Sequence, residues 1–330
     1  MANEVQPSNL PADIAAAVTS VVHALIPSSL KALNRLVGAS VEIPAAYLDR
    51  VAQRAKAKTN SYVAVEDAVA KAVALGVATD EELARRAMTN LVAKEYRKQE
   101  NREAIARGFL SELQNDQSQT DAAVEQPPDV DDDWLNVFER FAEDATSDRM
   151  QKLWARVLAG EVRSPGRFSM RTLRFLSEFS QSDALLFEDL CNSAFAGLAP
   201  KGLIHQNDEK GDITQLLKLE AAGLISGVSG GGVTHTRAFN TSGYCFVVEG
   251  NIGLQMKGAP GATLTCECYL LTPLGSELID LIPARDQLAV ARKFALSIRS
   301  DIIAEAMMIK VGVDGMSDPF EALWQASPAV

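Results

Sequence analysis

Apolar residues recur at helical spacing along most of this chain. Between residues 11 and 37 they read as two short helices. Ile14, Val18, Val21, Val22 and Leu25 form the first stripe, which Pro27 stops. Leu30, Leu33, Leu36 and Val37 form the second, with Ser28 or Ser29 as cap and Gly38 as stop. The stretches 45–75 and 79–113 are rich in Ala, Glu, Lys and Arg, good helix formers, and break near Gly76. They predict two long helices folded as an antiparallel hairpin, with Thr79 and Glu82 as a capping box on the second.

Residues 133–196 predict four amphipathic helices in one compact bundle. Trp134, Val137, Phe138 and Phe141 make one stripe; Met150, Leu153, Trp154, Val157 and Leu158 make the next. Pro165-Gly166 turns the chain, and Met170, Leu173, Leu176 and Phe179 follow. Ser182 is the expected cap of the fourth helix, which carries Leu185, Leu186, Leu190 and Phe195. The period then changes. A helix over DITQLLKLEAAGLI leads into a Gly-rich loop and three strand-like runs, YCFVVEG, NIGLQMK and TLTCECYLL. TPLGSELIDLI reads as a helix capped by Thr272 with Pro273 at its first position. Residues 284–312 read as one last helix bearing Leu288, Ala291, Phe294, Ile298 and Ile302, and the chain from Asp314 as a tail.

The expected fold class is mainly α: a helical hairpin and a helical bundle, followed by a small α+β domain of winged-helix-like order. The expected divisions are an N-terminal helical region over 1–114, an acidic disordered linker over 115–131, the bundle over 132–200, the winged-helix-like domain and its following helix over 201–313, and the tail over 314–330. The linker carries Asp116, Asp121, Glu125, Asp129 and Asp131 without a single Lys or Arg, and Pro127-Pro128 breaks any helix in it.

Composition narrows the functional classes. The chain has 330 residues, of which 47% are hydrophobic and 23% charged, and its 32 basic against 43 acidic residues give a net charge of -11. That balance disfavours nucleic acid and anionic lipid as partners, though a local basic face can still bind them. The N-terminal stretch lacks a signal-peptide pattern, and no apolar run reaches the roughly 20 residues of a membrane span. A cytoplasmic setting with reduced thiols is expected.

The chemistry of the chain is sparse. It has no P-loop, dinucleotide fingerprint, nucleophile elbow or H-E-x-x-H motif. GVSGGGVTHT reads as a flexible loop. Cys245, Cys266, Cys268 and His235 are the one group with ligand chemistry, but Cys-x-Cys is strand spacing, not the Cys-x2-Cys of a zinc knuckle. Glu161 with Arg163, Arg167 and Arg171 reads as a structural ion-pair network, and Arg54, Lys56, Lys58, Arg97, Lys98, Arg102 and Arg107 as solvated faces. No catalytic, cofactor-binding or metal-ligating residue is expected, and no cofactor.

The block Asp132–Phe187, with LWARVLAGEV and PGRFSMRTL at its centre, resembles a bacterial family of unknown function. It also resembles the helical domain of abortive-infection-like proteins, which share a similar Leu-Trp-Ala…Leu-Ala block. The first resemblance implies a helical fold and transfers no active-site residues. The second implies a setting in phage defence. Read as packing, the block's core is Trp134, Phe138, Leu153, Trp154, Leu158, Phe168 and Leu173, with Ser169 capping the helix after the turn.

The functional expectation is a non-enzymatic interaction module that binds another protein or itself. One alternative is a nucleic-acid-binding regulator using the winged-helix-like domain. Its candidate helix, however, carries only Lys218 against Asp212 and Glu220. The other is a membrane-associated effector using the apolar stripes of residues 11–37, flanked by Lys31 and Arg35.

Overall fold

A computed structural model describes residues 11–21, 25–38, 81–116, 129–204, 213–282, 285–312 and 317–325. The chain divides into two compact units, Met1–Ser177 and Glu178–Val330.

The first unit is helical: α1 Ala12–Ser20, α2 Pro27–Val37, α3 Glu81–Asp116, α4 Asp132–Ala142, α5 Asp148–Arg163 and α6 Met170–Glu178. The C-terminal half of α3 is its spine, because α1, α2, α4 and α5 all pack against α3. Ile105, Phe109 and Leu110 on that half are fully buried. A Cβ on Gly108 of α3 would stand 2.8 Å from the Cβ of Ala155, so the small residue lets α3 and α5 meet closely. Helix starts follow local chemistry. Asp131 and Ser147 accept from the N–H groups of Trp134 and Met150, at 2.9 and 3.3 Å.

The second unit begins with α7 Gln181–Cys191, β1 Leu198–Pro200, α8 Lys201–Ile204, α9 Ile213–Ala221, β2 Ile225–Ser226 and β3 Val233–Ala238. It continues through β4 Tyr244–Glu249, β5 Ile252–Gly258, β6 Thr263–Leu271, α10 Pro273–Ile279, α11 Gln287–Ser297, β7 Ile303–Val311 and β8 Ser317–Trp324. These strands form two antiparallel four-stranded sheets. In the first, β6 pairs with β1, β2 and β3. The second runs β4-β5-β7-β8. Its inner face alternates with the strand period: Val247, Leu254 and Met308 form one cross-strand row and Cys245, Met256 and Ala306 the next, all buried under α11.

A two-residue turn joins Phe195 to Leu198, whose N–H and C=O groups bond reciprocally at 2.9 and 3.0 Å. Ala196 and Gly197 there have φ of 52° and 77°, the left-handed pair that a tight hairpin with right-handed twist requires. Ala196 adopts a conformation costly for an L residue, and its N–H is pinned by Glu249 Oε2 at 2.7 Å.

The sheets overturn the expectation of a mainly α chain ending in a small winged-helix-like domain. YCFVVEG and NIGLQMK do become β4 and β5, but they lie in a different sheet from TLTCECYLL. The single helix expected over 284–312 is a helix and a strand. Ser300 accepts from the N–H of Ile303 at 3.0 Å, closing a turn after which the chain runs extended. Part of the expected tail is β8, an edge strand, where Pro319 costs no interior ladder bond. Of the four helices expected in one bundle, α4, α5 and α6 lie in the first unit, whereas α7 packs on α9 in the second. Ser180, not Ser182, caps α7, and Pro27 opens α2 instead of stopping its predecessor. The predicted helix over 45–75 and residues 117–128 of the linker lie outside the described residues, as do His23 and His205.

Candidate functional site

The residues of the LWARVLAGEV…PGRFS block meet in the first unit, and what they build is a locked turn. Trp134, Phe138, Trp154, Leu158, Phe168 and Leu173 are buried, while Leu153 is half-buried. Trp134 stacks on Phe138 at 5.3 Å, and Phe138 meets Trp154 edge-on at 5.4 Å. The Trp134 indole N–H donates to the carbonyl of Phe168 at 2.6 Å. The Phe168 ring lies on Gly160, where a Cβ would come within 2.6 Å of it. Glu161 is buried, and its carboxylate accepts from the N–H groups of Gly166 and Phe168 at 2.6 and 2.9 Å. Ser169 accepts from Thr172 N–H at 3.2 Å as the expected cap. Glu161 is thus a turn-closing carboxylate, a role its arginine-rich neighbourhood in sequence does not suggest.

The charged and apolar faces near the N-terminus serve the same unit. Lys31 donates to the carbonyl of Val130 at 3.0 Å and pairs with Asp132 at 3.1 Å. Arg35 grips Glu139 through Nε and Nη2, at 2.6 and 3.1 Å. Lys98 pairs with Glu143, and Arg107 with Asp13. Ile14, Val18, Val21, Leu30, Leu33 and Leu36 are buried, with α1 and α2 packed on α3. These residues of the two apolar stripes are therefore covered in cis. Among the described residues, no helix is long and apolar enough to cross a membrane.

The thiols occupy the second unit. His235 and Cys266 face each other across β3 and β6, and Cys268 follows on the same face of β6. Among the described residues, no three His, Cys, Asp or Glu side chains are placed to hold a metal ion. Burial pushes the Cys191 and Cys245 thiols up. Cys266 is pushed up by its hydrogen bond with Cys268 and then by burial. Cys191, Cys245 and Cys266 are therefore held as thiols, the unreactive form.

What the sequence does not announce is a cleft of about 620 Å³ in the second unit, walled by α7 and α11 and closed below by α8 and α9. Leu186, Asp189, Leu190 and Ser193 line one wall, and Asp286, Ala289, Val290, Lys293, Leu296 and Ser297 the other. Both walls follow the i, i+3, i+4, i+7 rhythm, so each is one face of its helix. Leu190, Ile204, Leu216, Leu219 and Val290 are its buried lining residues, and Leu296 stands 57% exposed at the rim. Neither wall carries a Cys or His, and Asp286 is engaged at the start of α11, accepting from Ala289 N–H at 2.9 Å. Leu186 and Leu190 are visible in sequence as one stripe, but Val290 and Leu296 lie outside the expected stripe of α11, and periodicity alone does not say that two helix faces stand apart.

Residues 85–237 match a family described as a protein of unknown function, DUF2806. The match contains the whole block 132–187 and runs from α3 to β3, so it takes in α7, α8 and α9 but not α11. No curated protein and no solved structure matches the chain.

Proposed function

We propose that this chain is a non-enzymatic binding protein that takes an amphipathic helix of a partner polypeptide into the cleft between α7 and α11. The observation that carries the reading is the open cleft, lined by the buried Leu190, Leu216 and Leu219, with one face of α7 and one face of α11 as its walls and an exposed Leu296 at its rim. A helix laid in such a groove buries residues at i, i+3, i+4 and i+7 and keeps its polar face wet. The walls offer polar ends in Asp189, Asn192, Ser193 and Lys293 for orientation. The absence of histidine and cysteine from the lining favours binding over turnover.

Selection of a displayed amphipathic-helix library on the full chain tests this. Enriched peptides should carry one continuous apolar stripe. Leu296→Glu, and separately Ala289→Arg, should weaken them at least tenfold while leaving the thermal midpoint in place. No enrichment, or binding indifferent to both substitutions, would sink the proposal. The abortive-infection resemblance of residues 153–173 supports a setting in phage defence for this binding. Expression of the chain with its neighbouring genes should then lower phage plating, and deletion of this gene should restore it; equal plating in both would remove that setting.

A further inference from the structure

The turn between α5 and α6 and the first turns of α6 form a basic island on an acidic chain. Residues 162–177 contain Arg163, Arg167, Arg171 and Arg174 and no Asp or Glu. All four arginines are exposed. The flanking acids are Glu161, buried and turned into the backbone of the turn, and Glu178, exposed at the last position of α6. Arg163 donates to the carbonyl of Glu112 at 3.0 Å, and Arg167 lies over the Phe168 ring at 5.6 Å, contacts that fix their direction. Arg171 and Arg174 stand i, i+3 on one face of α6, neighbours on the helix surface, with no acidic partner among the described residues.

We infer that this island binds the phosphate backbone of double-stranded nucleic acid without reading its sequence. Charge complementarity selects a polyanion, and guanidinium groups match phosphate by their planar fork. The surroundings select among polyanions. A membrane surface needs a broad apolar face beside the charge, whereas Leu173 and Leu176 of α6 are buried in the core and only Met170 is exposed. A single strand needs exposed aromatic platforms, whereas Phe168 is buried and Phe175 half-buried. An acidic protein partner would need a cluster of apolar anchors inside the charged ring, and the island exposes only Met170. A duplex backbone asks only for a row of cations, and phosphate contacts position a protein on it without specifying sequence. The acidic remainder of the chain keeps the binding weak and steeply salt-dependent.

Fluorescence anisotropy of a labelled duplex of random sequence, titrated with the full chain, tests this over a series of salt concentrations. Micromolar binding is expected at about 50 mM salt, in the range of non-specific association, with log affinity falling linearly in log salt. Arg171→Glu/Arg174→Glu should weaken it at least tenfold and flatten the salt slope by about 2, one contact per arginine. Arg171→Gln/Arg174→Gln removes the charge without reversing it and should show the same flattening with a smaller loss. Both pairs sit on an exposed face, and an unchanged thermal midpoint confirms that they fold. Absence of binding by the parent chain at 50 mM salt overturns the inference, and so does equal binding by both variants. Displacement of the duplex by phosphatidylserine vesicles or polyglutamate at equal charge, lost in the same variants, overturns it too. A failure here leaves the cleft untouched, since none of these residues lines it.

Discussion

Replacing Trp154 with alanine should cost the first unit about 3–5 kcal/mol, the range for truncating a buried aromatic side chain. Trp154 is 1% exposed, meets Phe138 edge-on at 5.4 Å and stacks against Phe141 at 6.4 Å. Those rings hold α4 against α5, so the hole cannot be refilled by one side chain turning in. Denaturant unfolding followed by near-UV circular dichroism reads the loss. Leu153→Ala, one residue earlier and half-buried, should cost clearly less. If both substitutions cost the same, or if Trp154→Ala costs under about 1 kcal/mol, the aromatic cluster is not the keystone of this unit.

Removing the guanidinium of Arg285 should be comparably severe in the second unit, at about 3–5 kcal/mol, because it strands a half-buried carboxylate and two backbone carbonyls. The Arg285 side chain is 8% exposed and that of Glu249 18%. Arg285 bonds both oxygens of Glu249 and also donates to the carbonyls of Cys191, at 3.0 Å, and Ala194. Glu249 in turn receives Ala196 N–H, and the amide of Gln287 donates to its backbone carbonyl at 2.8 Å. One ion pair thus ties the end of α7, the strained turn before β1, the end of β4 and the start of α11. The Glu249→Ala/Arg285→Ala pair should cost less than the sum of its singles, since neither charge is then left alone. Strict additivity in that cycle would show that the two side chains act independently.

Legibility in the sequence tracked how local the deciding interactions are. α4 and α5 are plain from Trp134, Phe138, Trp154 and Leu158, because their burial follows helical spacing and their caps, Asp131 and Ser147, stand at the N-cap positions. Thr272 and Gly38 act as expected for the same reason. β7 was hidden because Ile298 and Ile302 continue the helical register of α11, while the break at Ser300 depends on one turn bond. β8 was hidden because its partner is β7. The Arg285–Glu249 tie joins positions far apart in the chain, and the cleft is a gap between faces that look in sequence like any other core stripe. Glu161 stood out by residue type, but its role is set by backbone amides that composition does not display.

The first sheet of the second unit hangs on one strand. β1, β2 and β3 each find their ladder partner in β6, Leu198 opposite Leu270, Ile225 opposite Leu271 and Val233 opposite Cys268. On a ribosome those earlier strands emerge first and wait, their amide edges open, until β6 clears the exit tunnel. Closing such distant contacts is slow, because the intervening loop entropy is lost before any contact rewards it. The first unit ends earlier, at Ser177. Synthesis that stalls before Thr263 therefore leaves a finished helical body trailing three unpaired strands, the kind of intermediate that chaperones bind and that otherwise aggregates.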